Sequence, residues 1–224
     1  MSLYQMEHGS AYAGMDEGVA RFIGKVYGTL AICMMASTAI CAFAVANIQA
    51  FYPIAGVSRW ILLGMILVSC FVRLSGPLAW AYLAAFVSLI SVMIAPMIYS
   101  FTRTTAGTMT VASALGLTAA IFLVLTAYVR ISGKSFTFMG GILWVSTLAL
   151  IITGIALMFF PSKDAHYWLS CVSAVIFSGW ILYDTSAVTE IHYPNNNVPG
   201  AVLNLYVDLV NLFLNLLSIL RGRD

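Results

Sequence analysis

Polar residues are sparse in this chain, and their positions divide it into seven long apolar segments. A helix that crosses the hydrocarbon core of a bilayer needs about 20 mostly apolar residues. The runs at about 22–46, 53–72, 77–99, 108–129, 136–160, 167–188 and 198–220 meet that length. Charges and turn residues punctuate them. Arg21 and Lys25 stand at the start of the first segment. Arg59 lies inside the second, so that helix is short or Arg59 snorkels to the interface. Arg73 closes it, and Ser75-Gly76-Pro77 predicts a tight turn with Pro77 at a helix start. Pro96 predicts a kink one turn before the end of the third segment. A basic loop, 130–135, separates the fourth and fifth. Pro161, Lys163, Asp164 and His166 mark the next turn, and 190–200 is rich in turn residues.

Composition turns this pattern into a fold class. The chain is 62% hydrophobic and 8% charged, against about 25% charged in a soluble domain. A soluble fold cannot hide that much apolar surface, so the expectation is an all-α integral membrane protein. No polar stretch is long enough for a soluble domain. Residues 1–20 are expected to be a polar, mobile N-terminal tail without the pattern of a cleaved signal, and residues 21–224 the seven-helix domain. The net charge of +2 is small and its cations flank apolar segments, so nucleic acid is not an expected partner; the lipid bilayer is. All four cysteines lie in apolar runs and read as small buried hydrophobes. Gly24 and Gly28 have a small-residue packing spacing that ordinary helix packing explains. With seven spans the flanking cations divide five against five, so orientation rests on the basic start of the first helix. That places the N-terminus in the cytoplasm and the C-terminus outside.

The last segment is the one whose polar residues form a pattern. Asn204, Asp208, Asn211, Asn215 and Ser218 alternate at spacings of four and three, which puts them on one stripe of a helix. Lipid is no place for such a stripe, so it faces protein or water and is a candidate pore lining. Asp208 and Asp184 are the two acids well inside apolar segments. Each costs about 2.5–3.5 kcal/mol at the middle of a helix on insertion scales. Counted from the shared membrane face, Asp184 lies ~7 Å deep and Asp208 ~15 Å deep. The sixth and seventh segments form a hairpin, so the two carboxyls can meet. Two carboxylates together in low dielectric share one proton rather than both ionise. Protonated, they hold the two helices together; deprotonated, they repel. The same oxygens suit a hard divalent cation such as calcium. Arg73 ends the second segment on the same face and is the nearest counter-ion, a candidate latch.

Other chemistries find no support. His8, His166 and His192 are too dispersed to bind one metal. No Gly-x-Ser-x-Gly, nucleotide loop or last-helix lysine is present. Tyr183-Asp184 resembles half of an intramembrane aspartyl protease, but the Gly-x-Gly that should precede the second acid is replaced by Leu205-Tyr206-Val207. Neither catalysis nor a tightly bound cofactor is expected.

Ile181-Leu-Tyr-Asp-Thr185, together with Asn204-Leu-Tyr-Val-Asp-Leu-Val-Asn-Leu-Phe-Leu-Asn-Leu-Leu-Ser-Ile-Leu220, resembles the signature of the transmembrane Bax inhibitor motif family. Its two acids lie 24 residues apart. Ser135-Phe-Thr-Phe-Met-Gly-Gly141 at the opening of the fifth segment agrees. The resemblance implies seven helices with the last at the centre of the bundle. It also implies a pH-sensitive calcium leak with Asp184 and Asp208 as a di-aspartyl sensor and Arg73 as a residue that engages one of them. The short chain looks more like a bacterial member, in the inner membrane. Some such members are linked to regulating a membrane-bound ATP-dependent protease; the alternative function is a non-conducting membrane regulator of such a protease or of a stress or cell-death response. Calcium ions and protons are the expected small partners, and a membrane protease the protein partner.

Overall fold

The computed structural model describes the backbone of residues 3–71 and 76–221, and the side chains there except those of 3–16, 63 and 66–71. Among the described residues seven α-helices follow one another: α1 (Leu3–Ala46), α2 (Ile48–Phe71), α3 (Gly76–Thr102), α4 (Thr105–Ser132), α5 (Gly140–Phe159), α6 (Lys163–Ala187) and α7 (Val198–Arg221). There is no strand among the described residues. Six of these segments are long and apolar enough to cross a membrane over their described residues, and α2 carries the apolar run of the second segment.

Local chemistry sets the breaks. Only Asn47 separates α1 from α2; its N–H and its side-chain amide both donate to the Phe43 carbonyl, at 3.1 and 3.0 Å. Thr104 caps α4 by accepting from the Gly107 N–H at 3.1 Å. Gly133 ends α4 in the left-handed conformation, φ 60°, that a Cβ disfavours. Ser162 caps α6, and the Asn197 side chain accepts the Gly200 N–H at 3.0 Å at the start of α7.

The seventh helix is the axis of the bundle, as expected. It packs against α1, α3, α4 and α6, whereas α2 leans on α3 and α1, and α5 on α6. Val202, Leu205, Tyr206, Leu212 and Leu217 of α7 are fully enclosed. The outward faces carry large apolar side chains such as Leu123, Val124, Ile152 and Met158, the surface that lipid covers in a membrane protein.

Four details differ from the sequence reading. α2 begins at Ile48 rather than Pro53, because Ile48-Gln-Ala-Phe-Tyr52 is compatible with a helix that extends past the hydrocarbon core. The turn-rich stretch after the sixth segment opens with a π-helical turn, Val188–His192, which lengthens that helix. The N-terminal polar stretch from Leu3 is continuous with α1. Gly24 and Gly28 face outward, with nothing among the described residues within 4 Å of where a Cβ would stand, so they mediate no packing there.

Gly140 does have a packing role. A Cβ there would stand 2.8 Å from Cε2 of Tyr183, the residue before Asp184. Gly140→Ala is therefore expected to push the Tyr183 ring aside and cost about 1–3 kcal/mol, as overpacking does. Thermal unfolding in detergent measures this, and an unchanged midpoint would show that the ring yields freely.

Candidate functional site

Asp184 sits in the last turn of α6 and Asp208 near the middle of α7. They are 5% and 4% exposed, and their carboxyls lie within hydrogen-bonding reach of each other. The hairpin geometry expected from their depths is therefore realised. Asn204, one turn before Asp208 and exposed at the surface, donates its Nδ2 to Oδ1 of Asp184 at 3.2 Å. Oδ2 of Asp208 has no hydrogen-bond partner among the described residues. A proton shared with Asp184 would leave fewer lone pairs unmatched at this buried position.

No described cation answers these charges. The ion pair found among the described residues, Arg21 to Glu17 at 2.9 Å, lies on the exposed start of α1. Arg73, the candidate latch, lies outside the described residues. Backbone geometry changes beside the acids: the Val188 N–H reaches the Asp184 carbonyl, and the Val188 carbonyl accepts from Tyr193, five residues on, at 3.0 Å. A π turn of this kind widens the helix where it joins the α6–α7 loop.

The polar stripe of α7 faces protein at both ends, and the protein it faces is α6. Asn204 bonds Asp184, and Ser218 accepts from Ser170 at 3.0 Å. Between them Asn211 donates to the Val207 carbonyl at 2.8 Å and Asn215 to the Asn211 carbonyl at 2.7 Å. Both asparagines thus turn their N–H groups back on their own helix.

Two polar arrangements were not read from the sequence. Ser37 of α1, Ser91 of α3 and Tyr206 of α7 form a buried cluster, with oxygens 2.8 Å apart for Ser37–Ser91 and 3.0 Å for Ser37–Tyr206. A tyrosine inside an apolar helix signals a need for a hydroxyl partner, but not which serine supplies it. At the end of α6, Oε2 of Glu190 accepts from the hydroxyls of Ser135 and Thr137, at 2.9 and 2.8 Å. The Phe136 N–H donates to Ser186 at 3.1 Å. The fourth-to-fifth loop thus grips the chain just beyond Asp184. Glu190→Ala is expected to speed hydrogen exchange in residues 133–139 with little loss of overall stability, since the clamp is exposed. Unchanged exchange would mean the loop is held by its backbone bond alone.

Together these features define an α-helical membrane bundle with an acid pair buried between its sixth helix and its central seventh. The match to the family described as "Inhibitor of apoptosis-promoting Bax1" covers residues 19–224, and the chain belongs to that family. It is 34% identical over 229 residues to a BI1-like protein of Arabidopsis thaliana, covering 95% of this chain and 86% of that one. It is 35% identical over 136 residues to the "Modulator of FtsH protease YccA" of Escherichia coli K12, 61% of each chain; the same protein in another E. coli strain is called "Inner membrane protein YccA". A membrane protein of Vibrio cholerae is 36% identical over 146 residues, 65% of this chain and 64% of that one.

Proposed function

We propose that this chain is a non-catalytic membrane regulator that lets calcium leak across the bilayer under proton control. The observation that carries this reading is the burial of Asp184 and Asp208 together, without a described cation beside them. Removing a shared proton leaves two negative charges in contact in a dry seam, and their repulsion loosens α6 from α7. The exposed Asn204 amide above Asp184 marks the polar way in from one face, and Asn211, Asn215 and Ser218 continue it toward the other. The pair fits calcium in transit. Calcium takes about six to eight oxygens, and two carboxylates with one amide leave the remainder to water. Among the described residues no group of three or more His, Cys, Asp or Glu comes together. We place the protein in a bacterial inner membrane, with the N-terminus cytoplasmic and the C-terminus outside.

Purified protein in liposomes that enclose a calcium dye tests the reading. Influx above that of empty liposomes, changing with pH, is expected. Influx equal to that of empty liposomes at every pH would remove the channel reading.

The similarity to a relative named as a modulator of the FtsH protease favours a second reading, modulation of a membrane protease. In it the acids only fix the bundle, and the surface or residues 1–20 do the work. Deleting residues 1–20 would then abolish function in cells while the double variant Asp184→Asn, Asp208→Asn kept it.

A further inference from the structure

On the side of α7 opposite the acid pair, a cavity of about 740 Å³ lies between α1, α3, α4 and α7. Leu209, Val210 and Phe213 form its floor; on a helix they point about half a turn away from Asp208 and Asn215. Among the described residues the backbones of α1 and α4 do not pack against each other, so the cavity is a crevice between two helices at the bundle surface. Its lining on α1 runs from Tyr27 to Ala46, about 28 Å of helix, close to the ~30 Å of a hydrocarbon core. The wall is apolar, and its embedded hydroxyls are already satisfied: Ser37 by Ser91 and Tyr206, Thr38 by the Met34 carbonyl, Thr118 by the Ala114 carbonyl.

One end is different. Tyr27 and Phe122 bridge the crevice there, with ring centroids 6.1 Å apart. The Tyr27 hydroxyl is buried and has no hydrogen-bond partner among the described residues, and neither has the buried hydroxyl of Thr126. Phe122, Thr126 and Arg130 follow at four-residue intervals, so they share one face of α4. The Arg130 guanidinium carbon stands 5.4 Å from the centre of the Tyr27 ring, and Arg130 forms no ion pair among the described residues. Two hydroxyls without partners among the described residues and a cation outside any ion pair there thus lie toward one end of a long apolar slot that Tyr27 and Phe122 line, Thr126 and Arg130 following Phe122 along α4.

We propose that this crevice binds an anionic phospholipid, its acyl chain along α1 and α4 and its phosphate oxygens at Arg130, Tyr27 and Thr126. An apolar helix of another protein, or of a second copy, would bring no negative charge to Arg130, and its carbonyls within the span are used by the helix itself. A phospholipid brings negative charge and free acceptor oxygens, on a chain of matching length. This inference does not depend on calcium passage, since it uses the opposite face of α7.

The test is thermal unfolding of the detergent-purified full chain, titrated with phosphatidylglycerol, phosphatidylcholine or inorganic phosphate. Phosphatidylglycerol should raise the midpoint saturably, and the other two should not. Arg130→Gln with Tyr27→Phe should weaken the apparent affinity about fivefold or more, roughly what one cation contributes at an anionic surface. Ala119→Phe, which fills the slot without touching its mouth, should remove the saturable response while helix content by circular dichroism stays the same. Equal stabilisation by phosphatidylcholine, a response to phosphate alone, or indifference to Ala119→Phe would overturn the proposal. So would a cross-linkable dimer that Ala119→Phe abolishes, because the occupant would then be a second copy.

Discussion

Asp208→Asn is expected to flatten the pH response of calcium flux. The substitution keeps the size of the side chain and its place on α7, 4% exposed and against Asp184. It removes the ability to gain or lose a proton and gives Asp184 a permanent amide donor. One linked proton changes an equilibrium by at most about tenfold per pH unit. A single shared proton thus allows up to about a hundredfold swing between about pH 6 and about pH 8. The variant should lose most of whatever swing the wild type shows. Asp184→Asn should act in the same direction, since either substitution ends the sharing. The liposome dye assay on all three proteins gives the answer, and a variant with the wild-type profile would place the proton sensor elsewhere.

The largest loss of stability is expected from Tyr206→Ala. Tyr206 is fully enclosed and joins α7 to α1 and α3 through Ser37 and Ser91. Truncating a buried aromatic costs about 3–5 kcal/mol in soluble cores; in a bilayer the loss comes through packing rather than transfer from water. Tyr206→Phe keeps the ring and removes only the hydroxyl, and Ser37 and Ser91 still hold each other at 2.8 Å. Its cost should be about 0.6–1.7 kcal/mol, the range of a hydrogen bond within a membrane protein. Denaturation of both variants in mixed micelles separates the two contributions. Equal losses would mean that the hydroxyl, not the ring, holds the three helices together.

The helices were legible because a membrane helix announces itself by length and apolarity, and the acid pair because depth along a hairpin can be counted in residues. Asp184 and Asp208 needed no knowledge of packing beyond the adjacency of consecutive helices. The Ser37–Ser91–Tyr206 cluster needed the pairing of three helices distant in sequence, which hydropathy does not encode. The crevice was hidden for the same reason: Leu30 and Leu115 are as apolar beside a void as beside a neighbour. The π turn at Val188–His192 escaped because residues such as Tyr193, Pro194 and Asn195 signal a turn without revealing how far the helix extends before it. The outward-facing Gly24 and Gly28 show the converse, a packing motif with no packing partner among the described residues.

The central claim is that a proton held between Asp184 and Asp208 fastens α6 to α7. Hydrogen exchange of residues 185–204, followed across pH in the wild type and in the double variant Asp184→Asn, Asp208→Asn, tests it without reference to any ion. Comparing the two proteins at each pH cancels the intrinsic chemical rate. Protection in the wild type should fall below that of the double variant as pH rises, because only the wild type acquires the repelling pair of charges. Identical protection at every pH would contradict the claim.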